Sequence, residues 1–390
     1  MKIGILTQPL GGNYGGILQA YALQATLKKL GHQVWTEDRV GGSNETTVIQ
    51  RQSAYERIKN ICFNYLRDIR SFRLLIKKII LIITGETSHR PPSTDEFVKS
   101  KISLTAVSRS HTKEVFSQYG FEAYIVGSDQ VWRPVYSPFL YNYFLDFTGD
   151  TDVKRIAYAA SFGSDEWEFT PEQTSYCASL LKKFDAVSVR EKSAVQLCKT
   201  HFRVDAVQTL DPTLLLTKED YLSLITKKSL RKCEKYSLAY ILDINKEKYD
   251  IMREISNQLQ CKGRRISLSP CPSKKEWKHY KNYYHLSVEN WLNQFYQASF
   301  VITYSFHGCI FSIIFNKPFV AIENKERGSA RFHSLLGLFD LQDRLVNSYN
   351  DFLDKKTKLL STPIDYDKVN ALIKIKQAES VHFLKYALTP

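Results

Sequence analysis

The chain has 390 residues, which at about 100–200 residues per domain favours two domains. Its 43% hydrophobic, 24% charged and 13% aromatic residues exclude long disorder, collagen and coiled-coil rods. Fifty-four Lys and Arg against 40 Asp and Glu leave +14 at neutral pH, which points to an acidic partner (a phosphate ester, a nucleic acid or an anionic membrane surface) without choosing among them.

Residues 2–7 form a short apolar run and read as a buried parallel strand. That run is too short for a signal-peptide core, and nowhere do the roughly 20 apolar residues of a membrane span occur together. A glycine-rich turn follows, Gly11-Gly12-Asn13-Tyr14-Gly15-Gly16, and residues 17–30 then repeat apolar side chains at helical spacing. Gly31 is placed to end that helix in the left-handed conformation. Residues 33–36 read as the next strand.

Residues 51–113 break the rhythm, with 13 Lys/Arg against 5 Asp/Glu, a net +8. Within them, residues 72–83 are basic and apolar. They read either as a core helix with lysines at its edge or as a segment lying on a membrane surface. Strands are then expected at 123–126, 155–159 and 186–189, the last leading into a helix at 191–198.

A second unit begins after Leu210-Asp211-Pro212. Strands are expected at 237–241, 265–268, 300–303 and 319–322. Helices are expected at 246–259, 288–297, 307–315, 331–339 and 367–386, with Ser287 a fitting N-cap. Such alternation implies parallel sheets covered on both faces. The fold class is therefore α/β, with two Rossmann-like domains facing a cleft. Residues 1–210 form the first domain, with the basic insert near 51–113, and residues 211–365 the second. A final helix within 366–390 is expected to pack back on the first domain.

Seven cysteines, at 62, 177, 198, 233, 261, 271 and 309, are odd in number and widely spaced. No C-x-x-C pair or Cys/His cluster at zinc spacing occurs, so neither a disulfide framework nor a metal site is expected. Reduced thiols in a cytoplasmic protein fit this usage.

Open parallel sheets bind ligands beyond the carboxyl ends of their strands, so those ends supply the candidates. At the first, Asn13 and Gly15 would bring backbone close to a ligand at a helix start, or simply make a tight turn needing positive φ. At the second, Gly127 and Ser128 offer backbone donors beside Asp129, and Trp132 either stacks on a flat ligand or fills the core. At the third, Arg190 presents a planar fork to carboxylate or phosphate, or pairs with Glu191 at the surface. At the fourth, Ser305-Phe306-His307-Gly308 opens an apolar helix. There His307 can exchange protons near neutral pH and Gly308 leaves room beside it; otherwise His307 merely caps the helix. At the fifth, Lys325, Arg327 and Arg331 surround Gly328, as a phosphate-binding loop or a solvated charged one.

Together these segments resemble the polysaccharide pyruvyl transferases. The resemblance is carried by Gly11–Gly16 with Ile17-Leu18-Gln19-Ala20-Tyr21-Ala22-Leu23, then Gly127-Ser128-Asp129-Gln130-Val131-Trp132, Ser188-Val189-Arg190-Glu191-Lys192-Ser193 and Leu210-Asp211-Pro212-Thr213, and finally Ser305-Phe306-His307-Gly308 and Asn316-Lys317-Pro318-Phe319. It extends from near residue 1 to about 340; the insert and the final helix carry no such motif. It implies a fold similar to the two-domain GT-B glycosyltransferases, with the active site between domains. It also implies phosphoenolpyruvate as donor and, as acceptor, a sugar of a bacterial surface polysaccharide or its lipid-linked precursor. The product would be a pyruvate ketal on two hydroxyls, with phosphate released. No cofactor, metal or nucleic acid is expected, and a lipid-linked acceptor would bring the enzyme to the inner membrane face, where the insert gives it peripheral contact. His307 is then expected as acid/base and Arg190, Lys325, Arg327 and Arg331 as anion ligands. Asn13, Gly15, Gly127, Ser128, Asp129, Trp132, Ser305 and Gly308 would line the site. A nucleotide-sugar glycosyltransferase on the same architecture is the first alternative. A non-enzymatic binder of nucleic acid or an anionic surface is the second, although no nucleic-acid motif appears.

Overall fold

A computed structural model describes residues 1–40, 90–108, 112–226, 229, 234–241, 245–267, 280–323 and 328–389. The basic apolar segment 72–83, and with it any membrane contact, lies outside the described residues, as do Lys325 and Arg327.

In the first unit β1 (Lys2–Leu6) leads into α1 (Tyr14–Lys29) and β2 (Gln33–Arg39), and α2 (Pro92–Lys101) into β3 (Leu104–Ser108). After α3 (Thr112–Phe116) come β4 (Ala123–Val126), β5 (Lys154–Ala160), α4 (Pro171–Leu181), β6 (Ala186–Val189), α5 (Lys192–Leu197), β7 (Val207–Gln208) and α6 (Lys218–Leu222). These strands make one parallel sheet in the order β3-β2-β1-β4-β5-β6-β7. The central strands are nearly continuous in apolar residues because helices cover both faces. In β1 only Lys2 is exposed, and β4 is buried throughout.

The second unit follows the same plan. It contains β8 (Tyr236–Tyr240), α7 (Lys246–Gln258), β9 (Lys262–Ser267), β10 (Tyr280–Tyr284), α8 (Val288–Gln297), β11 (Phe300–Thr303), α9 (Phe306–Ile314) and β12 (Phe319–Ile322). It closes with α10 (Ala330–Leu338), β13 (Leu345–Val346), α11 (Tyr349–Ser361) and α12 (Tyr366–Ala387). Its sheet, also parallel, runs β10-β9-β8-β11-β12-β13. Ser287 caps α8 by accepting the Asn290 N–H, as its position suggests.

Strand order reverses between β1 and β4 in the first sheet and between β8 and β11 in the second. The crevices at such switch points open at the carboxyl ends of the strands. The segments after β1, β4 and β11 therefore meet at the joint between units. No helix among the described residues is long and apolar enough to cross a membrane.

α1 starts at Tyr14, so Gly15 and Gly16 belong to the helix and not to a turn. Neither has positive φ, whereas Gly31, with φ of 91°, ends the helix in the left-handed region. The first turns of α1 are buried on all sides, because Leu23 and Leu27 pack toward the first sheet and Tyr14, Ile17 and Leu18 toward the second.

Candidate active site

His307 is the second residue of α9, 7% exposed, at the end of β11. It faces the first turn of α1 from the other unit. A Cβ on Gly15 would fall 2.0 Å from His307 Nδ1 and 2.3 Å from Cγ, so only glycine lets this imidazole sit here. Gly308 serves the helix start in a different way: a Cβ there would fall 2.0 Å from Thr303 Oγ1, which caps the turn by accepting the Ser305 N–H. Room beside the histidine is thus not its role. Ser305 is half-buried and occupies the N-cap position without a side-chain bond.

The other nitrogen, Nε2, is buried without a hydrogen-bond partner and lies 3.5 Å from Asp211 Oδ2. Asp211 follows β7 and is 2% exposed. Its Oδ1 accepts from the Thr213 N–H at 3.0 Å and the Thr213 hydroxyl at 2.6 Å. Its Oδ2 accepts from Arg190 Nη1 at 2.9 Å and faces the Ser128 hydroxyl at 3.4 Å. Burial alone would raise the pKa of this carboxyl; His307, Arg190 and Thr213 hold it well below the usual carboxylate range.

Arg190, at the end of β6, is buried instead of paired at the surface. It spans Asp211, Glu191 Oε1 at 3.2 Å and Ser161 Oγ at 3.0 Å, and Ser161 donates on to Glu191 at 2.6 Å. Its guanidinium lies 4.4 Å above the Phe306 ring. Arg331, on the first turn of α10, lies 5.9 Å from the same ring. Burial, and then Arg190 beside it, pushes the Arg331 pKa down to about 10. Arg190, Asp211, Phe306 and Arg331 line a narrow crevice between the units. The two guanidinium groups share that crevice with the carboxylates of Asp211 and Glu191.

Several expected lining residues do other work. Trp132 is fully buried; its indole N–H donates to Tyr143 O at 2.9 Å and its ring stacks on Phe144. It fills the core and cannot stack on a ligand. Gly127 and Ser128 have no backbone donor to spare: Gly127 N–H bonds Leu6 O, and Ser128 N–H bonds Gln19 Oε1 at 3.0 Å. Gly127, with φ of 119°, is required because a Cβ would fall 2.1 Å from Tyr158 O. Asp129 caps no helix, and its Oδ1 accepts its neighbour's N–H at 2.9 Å. Asn13 is exposed at the start of α1, next to Gly16 and Asp129. The residue that sequence reasoning left out of the site is Asp211. It stood within a recognised motif, but its role depends on His307 arriving from the other unit.

The family model "Polysaccharide pyruvyl transferase" matches residues 13–326, most of the chain. No curated protein matches it. Among solved structures, the UDP-GlcNAc 2-epimerase from Neisseria meningitidis bound to UDP-GlcNAc is 10% identical, with a TM-score of 0.56 over 99% of this chain and 100% of that one. S. aureus MnaA in a structure with UDP is 12% identical, with a TM-score of 0.53 over 100% and 97%. The UDP-GlcNAc 2-epimerase from Methanocaldococcus jannaschii is 10% identical, with a TM-score of 0.51 over 96% and 99%. At such identities the likeness concerns the fold, which is that of GT-B enzymes.

Proposed function

From the premise that this chain belongs to the polysaccharide pyruvyl transferase family, we propose that it moves the three-carbon unit of phosphoenolpyruvate onto two hydroxyls of a sugar. The acceptor is a sugar of a bacterial surface polysaccharide or its lipid-linked precursor, the product is a pyruvate ketal, and phosphate is released. The observation that carries this reading is the convergence of one histidine and two buried arginines at the joint between the sheets.

The chemistry sets what those residues must do. Protonation of the enol methylene makes it a methyl group and leaves positive character on the carbon bearing phosphate. One sugar hydroxyl attacks that carbon. The bond to the phosphate oxygen breaks with its electron pair, and the second hydroxyl closes the ketal. Of the two hydroxyl protons, one balances the proton taken up by the methyl and the other leaves with phosphate. His307 supplies and recovers protons. Arg331 and Arg190 offset the charge of the carboxylate and the departing phosphate. Asn13, at the start of α1, is within reach of the same joint, and Lys325 and Arg327 remain proposed anion ligands.

The test is phosphate release from phosphoenolpyruvate, without any nucleotide, against a panel of free and lipid-linked sugars. His307→Ala should lower turnover about 10²–10⁴-fold, the usual worth of a positioned acid–base group, and leave the fold intact. Turnover that requires a nucleotide sugar would overturn the proposal.

A further inference from the structure

His307 has two ring nitrogens, and the surroundings of each differ. Nε2 is buried and lies 3.5 Å from the Oδ2 of Asp211. Nδ1 faces the first turn of α1, over the position where Gly15 lacks a side chain. We propose that Asp211 is a positioning residue that keeps the proton on Nε2 of His307, so that Nδ1 is the nitrogen exchanging a proton with substrate. This rests on the acid–base role given to His307 above.

The argument begins with Asp211. An ionised carboxylate accepts and never donates. Asp211 is kept ionised and oriented by Thr213, which takes Oδ1 through both its N–H and its hydroxyl, and by Arg190, which takes Oδ2. The carboxylate therefore cannot rotate away without losing three hydrogen bonds. With Oδ2 turned toward the imidazole, the tautomer bearing hydrogen on Nε2 points a donor at negative charge. The other tautomer would point a lone pair at it, in a site too buried for water to screen the repulsion. At 3.5 Å the contact is longer than a good hydrogen bond, as catalytic contacts without substrate often are.

Oδ2 is itself held against the first sheet, bonded by Arg190 at the end of β6 and faced by the Ser128 hydroxyl after β4, while His307 leads a helix of the second. Asp211 holds Arg190 as well, so one carboxylate aligns both the proton carrier and an anion ligand.

The experiment uses the full chain with ¹⁵N-labelled histidine and three variants: Asp211→Asn, His307→Gln and the double substitution. The chain has 9 histidines, and the His307 signals are those missing in His307→Gln. In the native protein, Nε2 should be protonated and Nδ1 unprotonated. Asp211→Asn presents an amide in place of the carboxylate, and the preference should weaken or reverse. Its turnover should fall about 10²–10⁴-fold, and the double variant should be no more than a few-fold slower than His307→Gln alone, because the two residues act as a unit. A native His307 carrying its proton on Nδ1 overturns the proposal, and so does near-native turnover in Asp211→Asn. Multiplying losses in the double variant would make Asp211 independent of the histidine. If His307→Gln keeps its turnover, the acid–base reading itself fails, while the nitrogen signals still report the tautomer. They also decide the matter should Asp211→Asn fail to fold.

Discussion

Gly15 packs against His307, the proposed proton carrier, from the opposite unit. Its backbone is ordinary helix, so alanine fits it, and glycine to alanine inside a helix is worth up to about 1 kcal/mol in favour of alanine. A methyl there, however, would stand 2.0 Å from His307 Nδ1 and 2.8 Å from its Cβ. Gly15→Ala should therefore leave the melting temperature within a few degrees of native and lower phosphoenolpyruvate turnover at least about tenfold, since small misplacements at a reacting centre are costly. Thermal melts run beside phosphate-release assays would check it, and full turnover would show that the imidazole has room to move. Residues of this kind were partly legible from sequence. His307 and Arg190 stood out because polar groups at the ends of apolar strands have few structural reasons to be there. Asp211 did not, because β7 is only two residues long and leaves no apolar run to mark a strand end. Trp132 misled in the opposite way: its partner Tyr143 lies in a stretch without regular periodicity.

At the scale of elements, burial decided what could be read. β4, β6, α8, β11 and β12 match the expected boundaries residue for residue, since each lies within the body of its unit and its side chains are constrained on most sides. The edge strands β3, β7, β10 and β13 were not expected. They are short or polar, and a neighbouring strand makes them strands. α4 was missed although its start is written locally, in a Thr170–Gln173 capping box before Pro171. The connection from α9 to β12 carries a testable consequence. Asn316 turns the chain there with φ of 53°, and the Lys317 ammonium sits over the Tyr296 ring at 5.4 Å, with Lys218 over the same ring at 5.7 Å. Burial first, and Lys218 second, pushes the Lys317 pKa down to about 8. A base whose pKa is lowered on folding opposes folding wherever it must be charged. The cost is complete below about pH 8 and fades as pH rises toward the ordinary lysine value. Lys317→Met should therefore raise the melting temperature at pH 7, and the gain should shrink between pH 8 and pH 10. A gain that is the same at both ends would show that the charge on Lys317 is not its cause, and a loss at pH 7 would show that the cation–π contact outweighs desolvation.

The division into two units was visible in sequence from the restart of strand–helix alternation, but the degree to which they interpenetrate was not. Tyr14 of α1 stacks on Trp291 at 5.4 Å and donates its hydroxyl to Leu286 O at 2.8 Å, so the first helix is anchored in the second unit. In return α12 crosses to the first. Ser380 Oγ accepts the Leu210 N–H at 3.0 Å, Gln377 donates to Leu214 O at 2.6 Å, and Leu384, Ala387 and Leu388 join the cluster of Ile3, Ile5 and Ile125. Ser334 of α10 accepts both Lys192 N–H and Gln208 Nε2, and Gly328 lies so near Gly163 O that a Cβ would fall 1.7 Å from it. Neither unit keeps a complete core when the other is removed. The chain should then unfold in one cooperative transition, with calorimetric and van 't Hoff enthalpies equal. Leu384→Ala tests this at a distance. The leucine is fully buried against the first sheet, and its truncation costs about 2–5 kcal/mol. If the units are coupled, hydrogen exchange in β11 and β12 should accelerate along with that in β1 and β4, and the calorimetric peak should move down as a single peak. Two resolved peaks, with only the first unit's shifted, would show that the halves are stable independently and that the site is assembled by docking after each has folded.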